Sequence, residues 1–247
     1  MNCRLTFCAG LLLAVTVLQS HAEGIVVVAE DSSYAYLRAG RLSGPGTQIV
    51  ERTLKDAVLD DYRIQLYPWA RAYEKALREP NVLIFPIIRT SAREPLFKWV
   101  GEIAQAKTRL YRLHEHRDIR PSDLSDAKRY SVGVVRDDSR QLYLQAQGFA
   151  RLVVSTTNRD SFQKLLNHQI QLLPMSEREA RSLSEEAQVD FSRLEAVGTL
   201  DELPASIYMA FSLDTPDEIV ARAHAAFEQL KASGEIERLM REIAEPR

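Results

Sequence analysis

A short, continuous apolar run that leads into a cationic turn constrains this chain more than any other feature. Residues 82–85 are all apolar, and they follow a segment with helical periodicity that begins after Pro68. Such a run is typical of a strand buried on both faces, as in a parallel sheet. We predict that the strand ends at Pro86, and Arg89 and Arg93 come directly after it. Ligands bind at the carboxyl ends of strands in open α/β sheets, so two guanidinium groups there predict an anion site.

The segments on either side of this run alternate between strands and helices. Residues 24–29 are rich in β-branched residues and predict a first strand, whereas the apolar spacing over 49–58 predicts a helix. Residues 62–67 alternate like a second strand, and the pattern resumes with a strand over 130–135. Strand–helix–strand alternation implies mostly parallel sheets with flanking helices, so we predict an α/β fold.

The first 22 residues have the pattern of a secretory signal peptide. Arg4 precedes an apolar run, and Ser20 and Ala22 supply small residues at the positions that cleavage requires. Both cysteines of the chain lie in this segment, so we expect the exported protein to have neither a disulfide nor a thiol nucleophile. We therefore predict cleavage after Ala22 and a periplasmic location.

Charge and motifs exclude several function classes. The formal net charge is −2, which argues against general binding of nucleic acid. The chain lacks the nucleophile elbow, the phosphate loop and the zinc-protease motif. His114 and His116 flank Glu115 and would share one face of a strand, but no third metal ligand accompanies them. We predict no catalytic residue, no metal and no cofactor.

A known family carries the same cationic turn. The pattern Thr90-x-x-Arg93 followed by Phe97 resembles the motif after the third strand of family 3 extracellular solute-binding proteins. These are amino-acid-type periplasmic receptors of ABC importers, and they have the two-lobed type II periplasmic-binding fold. The resemblance extends to the carboxyl end, where Thr215 and Pro216 open a long helix. It implies a two-lobed protein with a two-strand hinge.

The resemblance implies a discontinuous first lobe. We expect residues 23–112 to form the first part of this lobe and residues 205–247 to return to it. Residues 113–204 would form the second lobe. The two crossing strands of the hinge are expected over residues 108–113 and 205–211.

The resemblance also implies a ligand site between the lobes. In the family, the arginine that matches Arg93 commonly grips a ligand carboxylate. Arg136 and Ser139 lie where a helix amino terminus would face the cleft and could hold an anion. The remaining candidates are aromatic or cationic residues near the predicted cleft, namely Arg89, Trp69, Arg71, Tyr34, Tyr36 and Tyr208.

The chain departs from the family pattern at two places. Pro86, Ile87 and Ile88 stand where relatives often carry small hydroxyl residues. Residues 173–175 are Leu-Pro-Met, where relatives often carry the acid that pairs with a ligand ammonium group. The ammonium site is therefore left open, and the candidate ligands are a standard amino acid, an unusual amino acid derivative and an anion without an amino group.

We expect a monomeric solute-binding protein that captures a small, anionic, carboxylate-bearing, amino-acid-like ligand. Delivery to an inner-membrane ABC permease would follow from the family resemblance. Two alternatives stay open. One is a periplasmic enzyme on the same scaffold, such as a prephenate-type dehydratase, and the other is a ligand-sensing partner of a membrane receptor.

Overall fold

The computed structural model describes residues 24–242, so the predicted signal peptide lies outside the described residues. The strands are β1 (Ile25–Ala29), β2 (Tyr36–Arg38), β3 (Arg41–Ser43), β4 (Tyr62–Leu66), β5 (Val82–Ile88), β6 (Phe97–Gln105), β7 (Arg109–Leu113), β8 (Val132–Val135), β9 (Leu152–Ser155), β10 (Leu173–Met175), β11 (Leu194–Thr199) and β12 (Ser206–Ser212). The helices are α1 (Pro45–Asp56), α2 (Trp69–Arg78), α3 (Ser139–Ala146), α4 (Asn158–Leu166), α5 (Glu177–Glu186), α6 (Asp217–Ala232) and α7 (Glu235–Glu242). Within the described part of the chain, every helix is too short or too polar to cross a bilayer.

One lobe is built around a sheet with the strand order β4-β1-β5-β12-β6. Strand β1 pairs in parallel with β4 and β5, because α1 and α2 return the chain to the same end of the sheet. Strand β12 comes from much later in the chain and pairs antiparallel with β5 and β6. This lobe therefore contains segments from both ends of the described chain.

The other lobe holds two smaller sheets. One has the order β10-β7-β11 with antiparallel pairing, and the other pairs β8 and β9 in parallel. A bridge between Val132 and Leu172 connects β8 to the segment before β10. Helices α3, α4 and α5 belong to this lobe, and α4 packs on both sheets.

The hinge differs from the predicted pair of strands. Strand β7 is the central strand of its sheet, and β12 lies inside the larger sheet. The chain instead crosses between the lobes in the short segments 106–108 and 200–205. Backbone hydrogen bonds tie the segments together, from Ala106 N to Ala205 O at 2.8 Å and from Leu200 N to Thr108 O at 2.9 Å. The predicted ranges, 108–113 and 205–211, begin in these two segments and run on into β7 and β12, because alternation identifies strands without identifying the sheet that each strand joins.

Strand β5 does not end at Pro86 as predicted. It continues to Ile88, and its pairing with β12 shifts register between Tyr208 and Ala210. Proline has no N–H to donate, and a position beside a bulge tolerates it for that reason. The longer strand carries Ile88 to the edge of the space between the lobes.

The larger lobe buries apolar side chains on both faces of its sheet. One face packs against α1, α6 and α7, and the other packs against α2. The contact between β6 and α6 is close, because a Cβ atom added to Gly101 would lie 2.1 Å from two ring carbons of Phe227. A glycine at this position therefore lets the fully buried ring lie directly on the strand.

Candidate functional site

A cavity of about 80 Å³ lies between the two lobes. It adjoins the carboxyl ends of β1 and β5, where the sequence predicts a ligand. The larger lobe contributes the loop after β1, the first turn of α2 and the turn after β5, and the other lobe contributes the amino-terminal ends of α3, α4 and α5. The polar side chains of the lining include Glu30, Arg93, Asp138, Ser139, Arg140 and Glu179.

Direct hydrogen bonds hold the lobes together around this cavity. The indole Nε1 of Trp69 donates to the backbone oxygen of Asp137 at 2.9 Å, and Nη2 of Arg93 donates to the same oxygen at 3.4 Å. On the other side, Nδ2 of Asn158 donates to Oε1 of Glu30 at 3.0 Å. The structure is therefore a closed form, in which side chains of one lobe bind the other.

Arg93 is the cation of the predicted anion site that lies beside the cavity. It is 4% exposed and lines the cavity. Its guanidinium carbon lies 5.1 Å from the ring centre of Trp69 and 4.9 Å from that of Tyr73, and Nη1 donates to Ile88 O at 3.2 Å. Contact with aromatic faces fixes the planar guanidinium and limits its hydration, which prepares the group to bind an anion.

Three other predicted residues line the cavity with Arg93. Trp69 is nearly buried and covers one side. Tyr34 is also buried, and its burial raises the pKa of the phenol to about 12. Ser139 begins α3, and its hydroxyl is buried without a hydrogen-bond partner among the described residues. A buried hydroxyl that lines a cavity and lacks a partner is available to a ligand.

Arg89 and Tyr208 lie outside the cavity lining. Nη2 of Arg89 pairs with Oε1 of Glu94 at 2.5 Å, and the guanidinium lies about 5 Å from the rings of Trp99 and Tyr208. The Tyr208 hydroxyl donates to Glu102 at 3.3 Å. These side chains form a surface cluster of their own, in which Glu94 and the rings take up the charge of Arg89.

Arg71, Tyr36 and Arg136 are likewise absent from the lining. Arg71 lies on the exposed face of α2, with its guanidinium carbon 4.8 Å from the ring centre of Tyr67. Tyr36 is buried at the start of β2, and Arg136 is exposed after β8. Sequence proximity placed these residues near the cleft, but side-chain direction carries them away from it.

Sequence reasoning missed the charged centre of the cavity. Arg140 is 9% exposed, and its Nε donates to Oδ1 of Asp138 at 2.7 Å. Its Nη1 donates to Oε2 of Glu179 at 3.0 Å and to Pro174 O at 3.1 Å, and its Nη2 donates to Oδ1 of Asn158 at 2.9 Å. We call Arg140, Asp138 and Glu179 the Arg140 cluster. Burial alone would raise the pKa of Asp138, but the charge and hydrogen bonds of Arg140 outweigh it and hold this pKa below its ordinary value.

Two sequence signals pointed to the Arg140 cluster. Ser176 and Glu179 have the spacing of a capping box, and the structure forms that box at the start of α5. Asp138 precedes Ser139 and caps α3 by accepting from the backbone N–H of Arg140 at 2.8 Å. Both acids were recognisable as helix caps, but their convergence on one arginine was not visible in the sequence.

Glu30 is the acid that this arginine does not hold directly. It follows β1, is 7% exposed, and within residues 24–242 its carboxyl receives one hydrogen bond, from Asn158. Burial and then the charge of Asp138 raise the pKa of Glu30 well above its ordinary value, although Arg140 acts in the opposite direction. The Glu30 carboxyl is therefore an uncompensated acid between the lobes.

Replacing Glu30 with glutamine should stabilise the protein at neutral pH. Because the pKa is raised in the folded state, wild-type stability falls as the pH rises from the ordinary value of 4.5 through the folded value. The amide has no such ionisation and can still accept from Asn158. In thermal unfolding across this pH range, the Tm of Glu30→Gln should exceed that of the wild type at neutral pH and equal it below pH 4.5. The exposed carboxylate of Glu74 provides the matched Glu74→Gln control, and an equal gain in both variants would contradict this assignment.

Comparison with known proteins identifies the fold. No protein-family model and no curated protein sequence matches the chain. Among solved structures, the amino acid ABC transporter substrate-binding protein AbpA from Streptococcus pneumoniae, bound to L-arginine, matches with a TM-score of 0.77 and 16% identity over 90% of this chain and 94% of that one. ArtJ, the arginine-, lysine- and histidine-binding protein of Geobacillus stearothermophilus, matches with a TM-score of 0.76 and 16% identity over 91% and 96% of the two chains.

A sensor domain has the same architecture. A histidine kinase sensor domain with similarity to periplasmic binding proteins matches with a TM-score of 0.75 and 17% identity, over 87% of this chain and 93% of that one. Identities this low establish the fold and leave the ligand open. The predicted α/β, two-lobed architecture is confirmed, and the chain has the periplasmic-binding-protein fold of the amino-acid ABC transporter substrate-binding proteins.

Proposed function

We propose that this protein is a solute-binding protein that captures a small, carboxylate-bearing, amino-acid-like solute between its lobes. One observation carries the proposal: the Arg93 guanidinium and the unpartnered Ser139 hydroxyl, from opposite lobes, line the same cavity between the lobes. A solute that binds both would favour the closed form over the open one, because it contacts both lobes only when they are together.

The polar groups of the cavity suit a solute with a carboxylate and an amino group. Arg93 uses Nη1 and Nη2 on backbone oxygens of Ile88 and Asp137, and its Nε forms no hydrogen bond with the described residues. A carboxylate would bind these guanidinium N–H groups and the Ser139 hydroxyl. Glu30 offers an acceptor for an amino group, and a bound ammonium group would favour the ionised carboxylate. This acid follows β1, rather than lying in the region of residues 173–175 where relatives often carry one.

The size of the cavity limits the solute. A cavity of about 80 Å³ is roughly half the engineered cavity of about 150 Å³ that binds benzene in another protein. The part of a solute that occupies this space would therefore have few non-hydrogen atoms. Small amino acids and short carboxylic acids meet this limit.

Export to the periplasm and delivery to an inner-membrane ABC permease complete the proposal. The signal-peptide pattern of residues 1–22 supports export. The substrate-binding proteins of ABC transporters among the structural neighbours support delivery to a permease. We propose a monomer without nucleic-acid partners, metal or cofactor. The likeness to a histidine kinase sensor domain favours a ligand-sensing role as the second candidate.

An enzymatic role is favoured by one observation only. Glu30 is a buried acid with a raised pKa that lines the cavity, as a general acid often does. One experiment distinguishes binding from catalysis. The protein is incubated with each solute that binds, and the mass of the recovered solute is measured by mass spectrometry. A recovered solute of unchanged mass supports binding, whereas a mass lower by water, or by water and carbon dioxide as in a prephenate-type dehydratase, supports an enzyme.

The proposal predicts that a small carboxylate stabilises the wild type and that Arg93→Ala abolishes this effect. A solute at about 100 times its Kd adds roughly 2.7 kcal/mol of stability, which a thermal-shift screen of amino acids, dicarboxylates and aromatic acids resolves as several degrees. Arg89→Ala is the matched control, because Arg89 lies outside the cavity. A shift retained in Arg93→Ala would discard Arg93 as the anion site, and the absence of any shift in wild type would contradict solute binding.

A further inference from the structure

Arg140 resembles a bound guanidinium ligand more than an ordinary structural arginine. All of the N–H groups of its guanidinium have acceptors: both oxygens of Asp138, the Glu179 carboxylate, Asn158 Oδ1 and Pro174 O. These acceptors come from the cap residue before α3 and from α4, α5 and β10, and the side chains among them line the cavity between the lobes. The chain therefore places its own cation where the acids of the cavity could otherwise bind a cationic group of a ligand.

The charges of the lining show what this arrangement does. Three carboxyl groups line the cavity, those of Glu30, Asp138 and Glu179, together with the two guanidinium groups of Arg93 and Arg140. Without Arg140, three acids would face one cation, which is an environment that attracts a guanidinium or a side-chain ammonium group. With Arg140 present, a second guanidinium would meet carboxylates whose oxygens are already bound and a like charge beside them.

We infer that Arg140 is a specificity-determining residue, a built-in cation that occupies Asp138 and Glu179 and excludes basic amino acids. The inference rests on the proposed function, because it concerns which solutes the same cavity accepts. It narrows the solute to one without a guanidinium or a side-chain ammonium group.

The first arm of the test uses wild-type protein and two thermal-shift series. L-arginine and L-lysine form one series, and glycine, L-alanine and short carboxylic acids form the other. We expect no rise in Tm with the basic amino acids. A saturable rise with L-arginine in the wild type would overturn the inference, whatever the second series shows.

The second arm removes the built-in cation and supplies it from solution. Arg140→Ala should gain Tm, saturably, with millimolar methylguanidinium, because the freed carboxylates bind the added guanidinium group. Methylurea has a similar shape and no charge, so it should give no rise, and sodium chloride at equal ionic strength should give none either. Arg159→Ala is the matched control, because it removes an exposed arginine that pairs with Asp31 at 3.1 Å. Neither this variant nor the wild type should gain Tm with methylguanidinium. If Arg140→Ala does not fold, Arg140→Gln carries the same comparison.

The outcomes separate this inference from the proposed function. Suppose that methylguanidinium stabilises Arg140→Ala but no solute stabilises the wild type. This result would count against solute binding, and it would still support the assignment of Arg140 as the cation bound by Asp138 and Glu179. A carboxylate hit in the wild type without rescue of the Arg140 variant would overturn the inference alone. Equal responses to methylguanidinium and methylurea would also overturn it, because charge would then play no part.

Discussion

Arg140→Met should lower the free energy of unfolding by about 3–5 kcal/mol at neutral pH, because removing one partner of a buried ion pair leaves the other charges uncompensated. Asp138 and Glu179 both lose their cation, and each carboxylate is nearly buried. Methionine keeps most of the side-chain volume, so the loss measures charge and hydrogen bonding rather than a cavity. Urea unfolding followed by circular dichroism measures it.

Acidification should reduce the loss of unfolding free energy in Arg140→Met. The lowered pKa of Asp138 means that its pairing stabilises the wild type above the ordinary value of 3.8, and that this stability is lost as the pH falls through the folded value. The variant has no such contribution to lose, so the two proteins converge at low pH. The exposed Arg159 pairs with two acids at the surface, and Arg159→Met should cost at most about 1 kcal/mol. Similar losses in both variants would contradict a buried role for Arg140.

Phe227→Ala should cost about 3–5 kcal/mol, because the ring is fully buried between α6 and the sheet and its removal leaves a cavity. Gly101→Ala should also be strongly destabilising in the wild type. Its new Cβ would lie 2.1 Å from two carbons of the Phe227 ring, and neither the strand nor the packed ring has room to move.

The double variant should then be less destabilised than the sum of the two single variants. Once Phe227 is alanine, the space that it leaves accepts the Cβ at position 101. This double-mutant cycle is measured by urea unfolding of the wild type, both single variants and the double variant. Additive losses would show that the two positions do not share one space, and they would contradict the packing of α6 on β6.

The sequence was sufficient for the α/β class, because short apolar strands and amphipathic helices alternate in it, and the family resemblance implied the two lobes. The run at residues 82–85 and the arginine at position 93 predicted a buried strand with a cation beyond its end, and the structure places Arg93 beside the cavity. The apolar run alone does not distinguish Arg89 from Arg93, because both follow the same strand, and the family resemblance singled out Arg93. The turn after the strand points Arg93 inward between two rings and leaves Arg89 at the surface with Glu94.

The Arg140 cluster lay beyond sequence reasoning for a different reason. Its members come from the amino-terminal ends of α3 and α5, including the cap residue of α3, and these two helices are separated by α4 and two strands. Periodicity reports which residues share a face of one element, but the meeting of two helix starts depends on how the sheets pack. Glu30 shows the same limit, because its partner Asn158 belongs to the other lobe and comes 128 residues later.

The Trp69 indole has an optical consequence. The chain has two tryptophans, and the indole of Trp99 donates to Glu94 O within its own lobe at 3.2 Å. Only the Trp69 indole bonds across the gap, to Asp137 O, so only its surroundings change when the lobes separate. Intrinsic fluorescence therefore contains a steady signal and a variable one, and the variable one reads domain closure without any attached dye.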